Sequence, residues 1–239
     1  MKRFTSIIGS LVLSVLWSSV SVGDGLVSSY RIEVNLPAYK LTLYSGNEII
    51  RNYAITIGSP QFKTPTGKHL ISQVVINPWW FPPKGSKWAE GKEITPPGPG
   101  NPLGVVKMLL ADGILLHGTG NPDGVGKALS HGCIRLQNEA IMELASLIIG
   151  EDAFALVRQG KTMGFEINPP VPVLVRYKVI EMEPARIFVH EDVYGKEKGR
   201  KIEEALRQEG VENGFTGPGE IYTGQFRPQD MRLLSRATL

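Results

Sequence analysis

The chain has 239 residues, with 26 Lys and Arg against 23 Asp and Glu, a formal net charge of +3, and 42% hydrophobic residues. This length accommodates one good core plus an appendage, and the composition is that of an ordinary globular protein. So small a charge gives no electrostatic case for nucleic acid as a partner.

The N-terminus departs from that average. Lys2 and Arg3 precede an apolar run, Ile7 to Trp17, and small residues follow at Ser21-Val22-Gly23. That order is expected of a secretory signal peptide, assigned to residues 1–23. The run is short and interrupted by serines, against the roughly 20 apolar residues of a membrane span, so no stable span is expected. No Cys lies near the expected cleavage site, which argues against a lipid anchor there. Cleavage would remove Lys2 and Arg3 and no acid, lowering the formal charge from +3 to +1.

Tyr30 to Leu36 alternates apolar and polar residues and reads as a half-buried strand. Lys40 to Tyr44 repeats the pattern, Ser45-Gly46-Asn47 turns the chain, and Ile49 to Ile57 returns as a hairpin partner. Further strands are expected at Leu70 to Ile76, Val105 to Leu110 and Ile114 to His117. Residues 77–104 are rich in proline and contain Trp79, Trp80, Phe81 and Trp88, which suits a lid or groove wall rather than a strand. A helix is expected from a cap at Asn138 through Ile141, Leu144, Ala145 and Ile148 to a stop at Gly150. Ala153 to Val157 reads as a strand and Asn168 to Pro172 as a boundary. Beyond it, strands are expected at Val173 to Ile180 and Arg186 to His190, then a helix carrying Ile202, Ala205 and Leu206.

Chemistry concentrates in one stretch. His117-Gly118-Thr119 is followed, after Asn121-Pro122-Asp123-Gly124, by Ser130-His131-Gly132-Cys133-Ile134-Arg135. A thiol becomes a nucleophile only as the thiolate, and free Cys ionises near pH ~8.5, so it needs a neighbouring base. Cys133 is the chain's single cysteine and has two imidazoles close in sequence. An exported protein normally pairs its cysteines, so a lone thiol between glycine and histidine points to covalent catalysis. His117 ends an expected strand and is the choice for general base, with His131 as the alternative. The backbone N–H groups around Gly132 and Cys133 can face a developing oxyanion. Ser130 is expected to order the turn, and Arg135 to offer a fork of donors to a carboxylate. His69 and His190 lie outside this constellation. With no second Cys or acidic cluster at ligand spacing, no metal site is expected.

His117-Gly118-Thr119 with Ser130-His131-Gly132-Cys133 resembles the signature of the L,D-transpeptidase (YkuD) family. Thr64-Pro65-Thr66-Gly67 and Pro96 to Gly104 resemble other patches of that family and stand in the right order. Arg135 is a departure, since some members carry Asn there. The resemblance implies a mainly β chain: a catalytic β-sandwich with one or few helices over residues 28–158, and a small C-terminal α+β extension over 171–239 like that of the family's periplasmic branch. It also implies a periplasmic enzyme of cell-wall biogenesis, with Cys133 as nucleophile, His117 as proton acceptor and His131 shaping the site. Gly132, Ser130, Arg135 and Gly118 would serve the oxyanion and the substrate. No cofactor is implied. Donor and acceptor would be peptidoglycan stem peptides, and carbapenem-type inhibitors would acylate the thiol. Water as acceptor would make the enzyme an L,D-carboxypeptidase, and a lipoprotein lysine would make it a protein-attaching transferase. A non-catalytic wall-binding protein is the distant alternative.

Overall fold

The computed structural model describes residues 30–111, 113–183, 186–197, 220–223 and 232–234. The expected signal peptide and the helix expected around Ile202 lie outside the described residues. No described helix is long and apolar enough to cross a membrane.

The fold is mainly β. An eight-stranded sheet has the order β3-β2-β1-β10-β5-β6-β7-β9. Its strands are β1 (Tyr30–Asn35), β2 (Lys40–Ser45), β3 (Glu48–Ala54), β5 (Gly67–Ile76), β6 (Val106–Ala111), β7 (Ile114–Thr119), β9 (Ile134–Gln137) and β10 (Met163–Arg176). Two short strands, β4 (Ile57–Gly58) and β8 (Ala128–Ser130), pair in parallel beside it. The sheet nearly closes on itself. Thr56, just past β3, bonds Arg135 of β9 in both directions, N–H to carbonyl at 2.8 and 2.9 Å.

Alternation drives this arrangement. Ile32, Val34, Leu41, Leu43, Ile71, Val74, Met108 and Leu116 are buried, while Arg31, Glu33, Lys107 and Leu109 beside them are more exposed. Helix α1 (Asn138–Ile149) lays Ile141, Leu144 and Ile148 onto that inner face beside Ile134 and Leu136. Each fully buried Leu or Ile contributes roughly 1.5–3 kcal/mol. Gly150 ends α1 in the left-handed conformation, φ 70°, with its N–H on Ser146 O at 3.0 Å.

Four details differ from expectation. Asn138 is the first helical residue rather than the cap, and its Oδ1 instead accepts from Val105 N–H at 3.4 Å. Ala153 to Val157 is not a strand but part of helix α2 (Ala153–Arg158), because Asp152 caps it by accepting from Ala155 N–H at 3.1 Å. The proline run 168–172, expected as a boundary, lies inside β10. The strand accommodates it by a register shift against β5 between Glu166 and Val171, and it meets β1 only from Val173 onward. Finally, β10 ends at Arg176 and β11 (Ile180–Glu183) starts anew, so 173–180 is not one strand.

Strand β11, β12 (Arg186–Val189), β13 (Glu220–Thr223) and β14 (Arg232–Leu234) form a separate four-stranded sheet. Glu181 ties it to β2 through Lys40 Nζ at 3.1 Å. His190 Nε2 also meets this carboxylate, at 3.0 Å. Burial would raise the pKa of Glu181, but these two partners win and hold it at about 2.

Candidate active site

Strands β7 and β9 run side by side in parallel, with Leu116 opposite Ile134 and His117 opposite Arg135. Leu116, Ile134 and Leu136 point into the core. Their neighbours therefore point the other way, and Leu115, His117, Cys133 and Arg135 all line one cleft of about 670 Å³. Cys133 comes one step before β9, and the N–H of Leu115 donates to its Sγ at 3.4 Å. His117 lies two residues further along the same face, about 7 Å by strand rise.

His117 is buried, 3% exposed, on β7. Its Nδ1 lies 2.8 Å from the Gly118 carbonyl. A carbonyl only accepts, so Nδ1 carries the proton and the neutral ring leaves Nε2 bare. Burial pushes the imidazole down to about 4, against the opposing pull of the Gly118 and Leu103 carbonyls and with a smaller push from Arg135. Burial likewise pushes the Cys133 thiol up, while Leu115 N–H and the Arg135 charge pull it down. The resting pair is thus a neutral thiol and a neutral imidazole, with no hydrogen bond between them.

His131 occupies the cleft mouth. Its ring stacks on Trp88 at 4.2 Å and 15°, and meets Phe62 at 4.6 Å and 55°. Trp88 sits on a single 3-10 turn, Lys87–Ala89, within the proline-rich segment between β5 and β6. That segment also sends Trp79, Trp80 and Phe81 into the cleft lining, so it forms the expected wall. Arg135 points into the cleft with its Nε lacking a partner. His69 and His190 are not among the cleft residues.

Two expected ligand-facing groups are placed otherwise. The Gly132 N–H donates to Ser130 Oγ at 3.1 Å, so it is not aimed at the cleft as an oxyanion donor. Ser130 Oγ in turn donates to Cys133 O at 2.5 Å, so this side chain spans the turn. Gly118 does not line the cleft. It packs on the other side, where a Cβ would lie 2.5 Å from Asn138 Oδ1 and 3.2 Å from Ile141 Cγ2. Its contribution to the site is the carbonyl that orients His117.

The family model of the L,D-transpeptidase catalytic domain (YkuD) matches residues 29–175. The chain belongs to this family. Among relatives, it is 33% identical to the YkuD protein of Bacillus licheniformis over 120 residues, covering 50% of this chain and 60% of that protein. It is 34% identical to YkuD of Bacillus subtilis over 125 residues, covering 52% and 64%. The matches thus span less than two thirds of either relative's length. The solved catalytic domain of an E. faecium L,D-transpeptidase aligns with a TM-score of 0.42 and 22% identity, over 64% of this chain and 100% of that one.

The L,D-transpeptidase signature pointed to the cysteine and histidines but missed the parts that hold them. Thr64, in the quoted Thr64 to Gly67 patch, donates to Gly132 O at 2.9 Å and accepts from Gly58 N–H at 2.8 Å. The Leu115 amide is invisible to residue-type reading, because any residue but proline would supply it there. Lys107 faces His117 across β6 and β7 and also lines the cleft.

Proposed function

We propose that this protein is a peptidoglycan L,D-transpeptidase working through a Cys133 acyl-enzyme. The observation that carries the reading is the shared outward face of β7 and β9, which puts one unpaired thiol and one buried neutral imidazole on the floor of a single cleft.

The thiol does not ionise unaided, since burial holds its pKa up. His117 Nε2 accepts its proton when substrate fills the cleft and draws the two groups together; such contacts are often long in the empty site. The thiolate keeps the Leu115 N–H and the nearby Arg135 cation as partners. It attacks the carbonyl of the third-position diamino acid in a tetrapeptide stem, forming the C–S bond. The Cys133 amide is the donor assigned to the oxyanion. The tetrahedral species collapses with loss of the terminal D-Ala, whose amine leaves with the proton from the His117 imidazolium. An amine of a second stem then attacks the thioester, gives up its proton to His117 and releases Cys133, linking two third-position residues. Arg135, with an unpartnered Nε beside the thiol, suits the donor carboxylate as a fork of N–H groups. His131, gripped by Trp88 and Phe62, shapes the mouth rather than moving the proton.

The segment 77–104 is the wall that shields the thioester and gives an acceptor stem something to pack on, since positioning of an amine can outweigh the abundance of water. Export to the periplasm accompanies this reading, on the basic-apolar-small order of residues 1–23 and the single cysteine. The test is incubation of purified enzyme with disaccharide-tetrapeptide, followed by mass spectrometry. Crosslinked dimer, or exchange of the terminal D-Ala for an added D-amino acid, supports transfer. Tripeptide alone at high acceptor concentration would make the protein an L,D-carboxypeptidase, and no product at all would remove the enzymatic reading.

A further inference from the structure

The segment after β12 reaches the catalytic turn through one side chain. Tyr194 is 6% exposed. Its hydroxyl donates to Gly58 O at 2.8 Å and accepts from Thr64 N–H at 3.1 Å. The Thr64 hydroxyl takes the other side of Gly58, accepting its N–H, and donates to Gly132 O. Two hydroxyls therefore bracket Gly58, and the second holds the residue just before Cys133. There is no slack at this point: a Cβ on Gly58 would lie 2.0 Å from Phe62 O and 3.0 Å from Gly132 Cα.

Tyr194 is itself fixed. Its N–H donates to Tyr177 Oη at 2.7 Å, and the Tyr177 hydroxyl donates to Asp192 Oδ1 at 2.6 Å. The two tyrosine rings stack at 5.5 Å. Tyr177 directly follows β10, the strand at the centre of the main sheet, so the anchor is rigid.

We propose that Tyr194 is a positioning residue for Cys133, acting through Thr64 and Gly132. Gly132 holds φ 106°, a conformation that its neighbours must maintain. Ser130 Oγ grips its N–H and Thr64 Oγ1 grips its carbonyl, so the peptide leading into Cys133 is clamped at both ends. Ser130 belongs to the turn itself. Thr64 is held from outside, and the bond to its backbone comes from Tyr194. Loss of that hydroxyl leaves Thr64 free to shift and lets the thiol drift from Leu115 N–H, and misplacement by about 1 Å can cost on the order of a hundredfold in rate.

The proposal rests on Cys133 being the nucleophile, so its test reads the thiol directly as well as turnover. Full-length Tyr194→Phe removes one oxygen and keeps the ring. Its Cys133 should react with iodoacetamide along a shifted pH profile, and kcat on tetrapeptide stems should fall about tenfold at little-changed KM. Thr64→Val should behave alike, Thr64→Ser should restore wild-type values, and the Tyr194→Phe/Thr64→Val pair should lose no more than either alone. A wild-type alkylation profile and kcat in Tyr194→Phe would overturn the proposal. So would losses that merely track a lowered Tm and add in the double variant. A shifted profile in a protein whose wild type turns over no stem peptide would support the positioning role while removing the transpeptidase reading.

Discussion

Leu115 holds Cys133: a main-chain N–H on one strand donates to the thiol sulfur beside the next, at 3.4 Å. A main-chain donor survives every substitution except proline and is already in place in the cleft. It favours the thiolate over the thiol, the same direction as the Arg135 charge and opposite to burial.

Cys133→Ala should abolish product formation, by on the order of a thousandfold or more, with the Tm close to wild type because the thiol is only partly buried. A carbapenem should add its mass to the wild-type protein and not to this variant. Intact mass spectrometry of reduced protein reads both, and an unmodified wild type would count heavily against the acyl-enzyme.

Exchange of the two histidines for alanine separates their roles. His117→Ala should approach the Cys133→Ala loss, while His131→Ala should keep part of the activity through the remaining Trp88 and Phe62 surfaces. Steady-state kinetics decide it. A dead His131→Ala beside a nearly normal His117→Ala would move the base to His131.

Acid should destabilise the fold through His117. Its imidazole ionises near 4 when folded against an ordinary 6.5. Between those values the unfolded chain binds a proton that the folded one refuses, so stability falls as the pH drops through that window and is level above it. Urea denaturation at pH 7 and pH 4 should show the wild type losing on the order of 3 kcal/mol more than His117→Gln. Equal losses in both would mean that the ring is not held neutral by burial.

Trp88→Ala should shift products from transfer toward hydrolysis. The substitution strips the stack from His131 and opens the wall of the cleft without touching Cys133. The ratio of crosslinked dimer to tripeptide, with iodoacetamide reactivity as the control, measures the effect. An unchanged ratio would free the segment from any part in acceptor choice.

Protein recovered from the envelope should lack residues 1 to about 23, the segment whose charge and apolar pattern read as a signal. N-terminal sequencing settles this, and a start at Met1 or Lys2 would mean an uncleaved anchor.

Much of the fold was legible because alternation is a local signal. Strands β1, β2, β5, β6 and β7 and helix α1 were placed from periodicity and punctuation, while the thiol and both histidines stood out as a motif. What escaped depends on contacts distant in sequence. Pro169, Pro170 and Pro172 read as a boundary, because nothing local says that a register shift will let β10 absorb them. Ala153 to Val157 is too short for its period to distinguish helix from strand, and the Asp152 cap decided it. Gly132 was read as an oxyanion donor because the reach of Ser130 Oγ to its amide depends on how the turn folds. The Tyr194 hydroxyl lies 130 residues from Thr64 and belongs to no motif.

The closure of the sheet has one more effect. Thr56 takes up both the outward N–H and the outward carbonyl of Arg135, in the strand that follows Cys133. An incoming extended peptide therefore cannot lengthen the sheet at Arg135, whose main-chain groups are already paired. A ligand of the cleft is then recognised there by the side chains around it. Specificity is then free to diverge by replacing residues of the 77–104 wall, without disturbing a single main-chain bond of the frame beneath it.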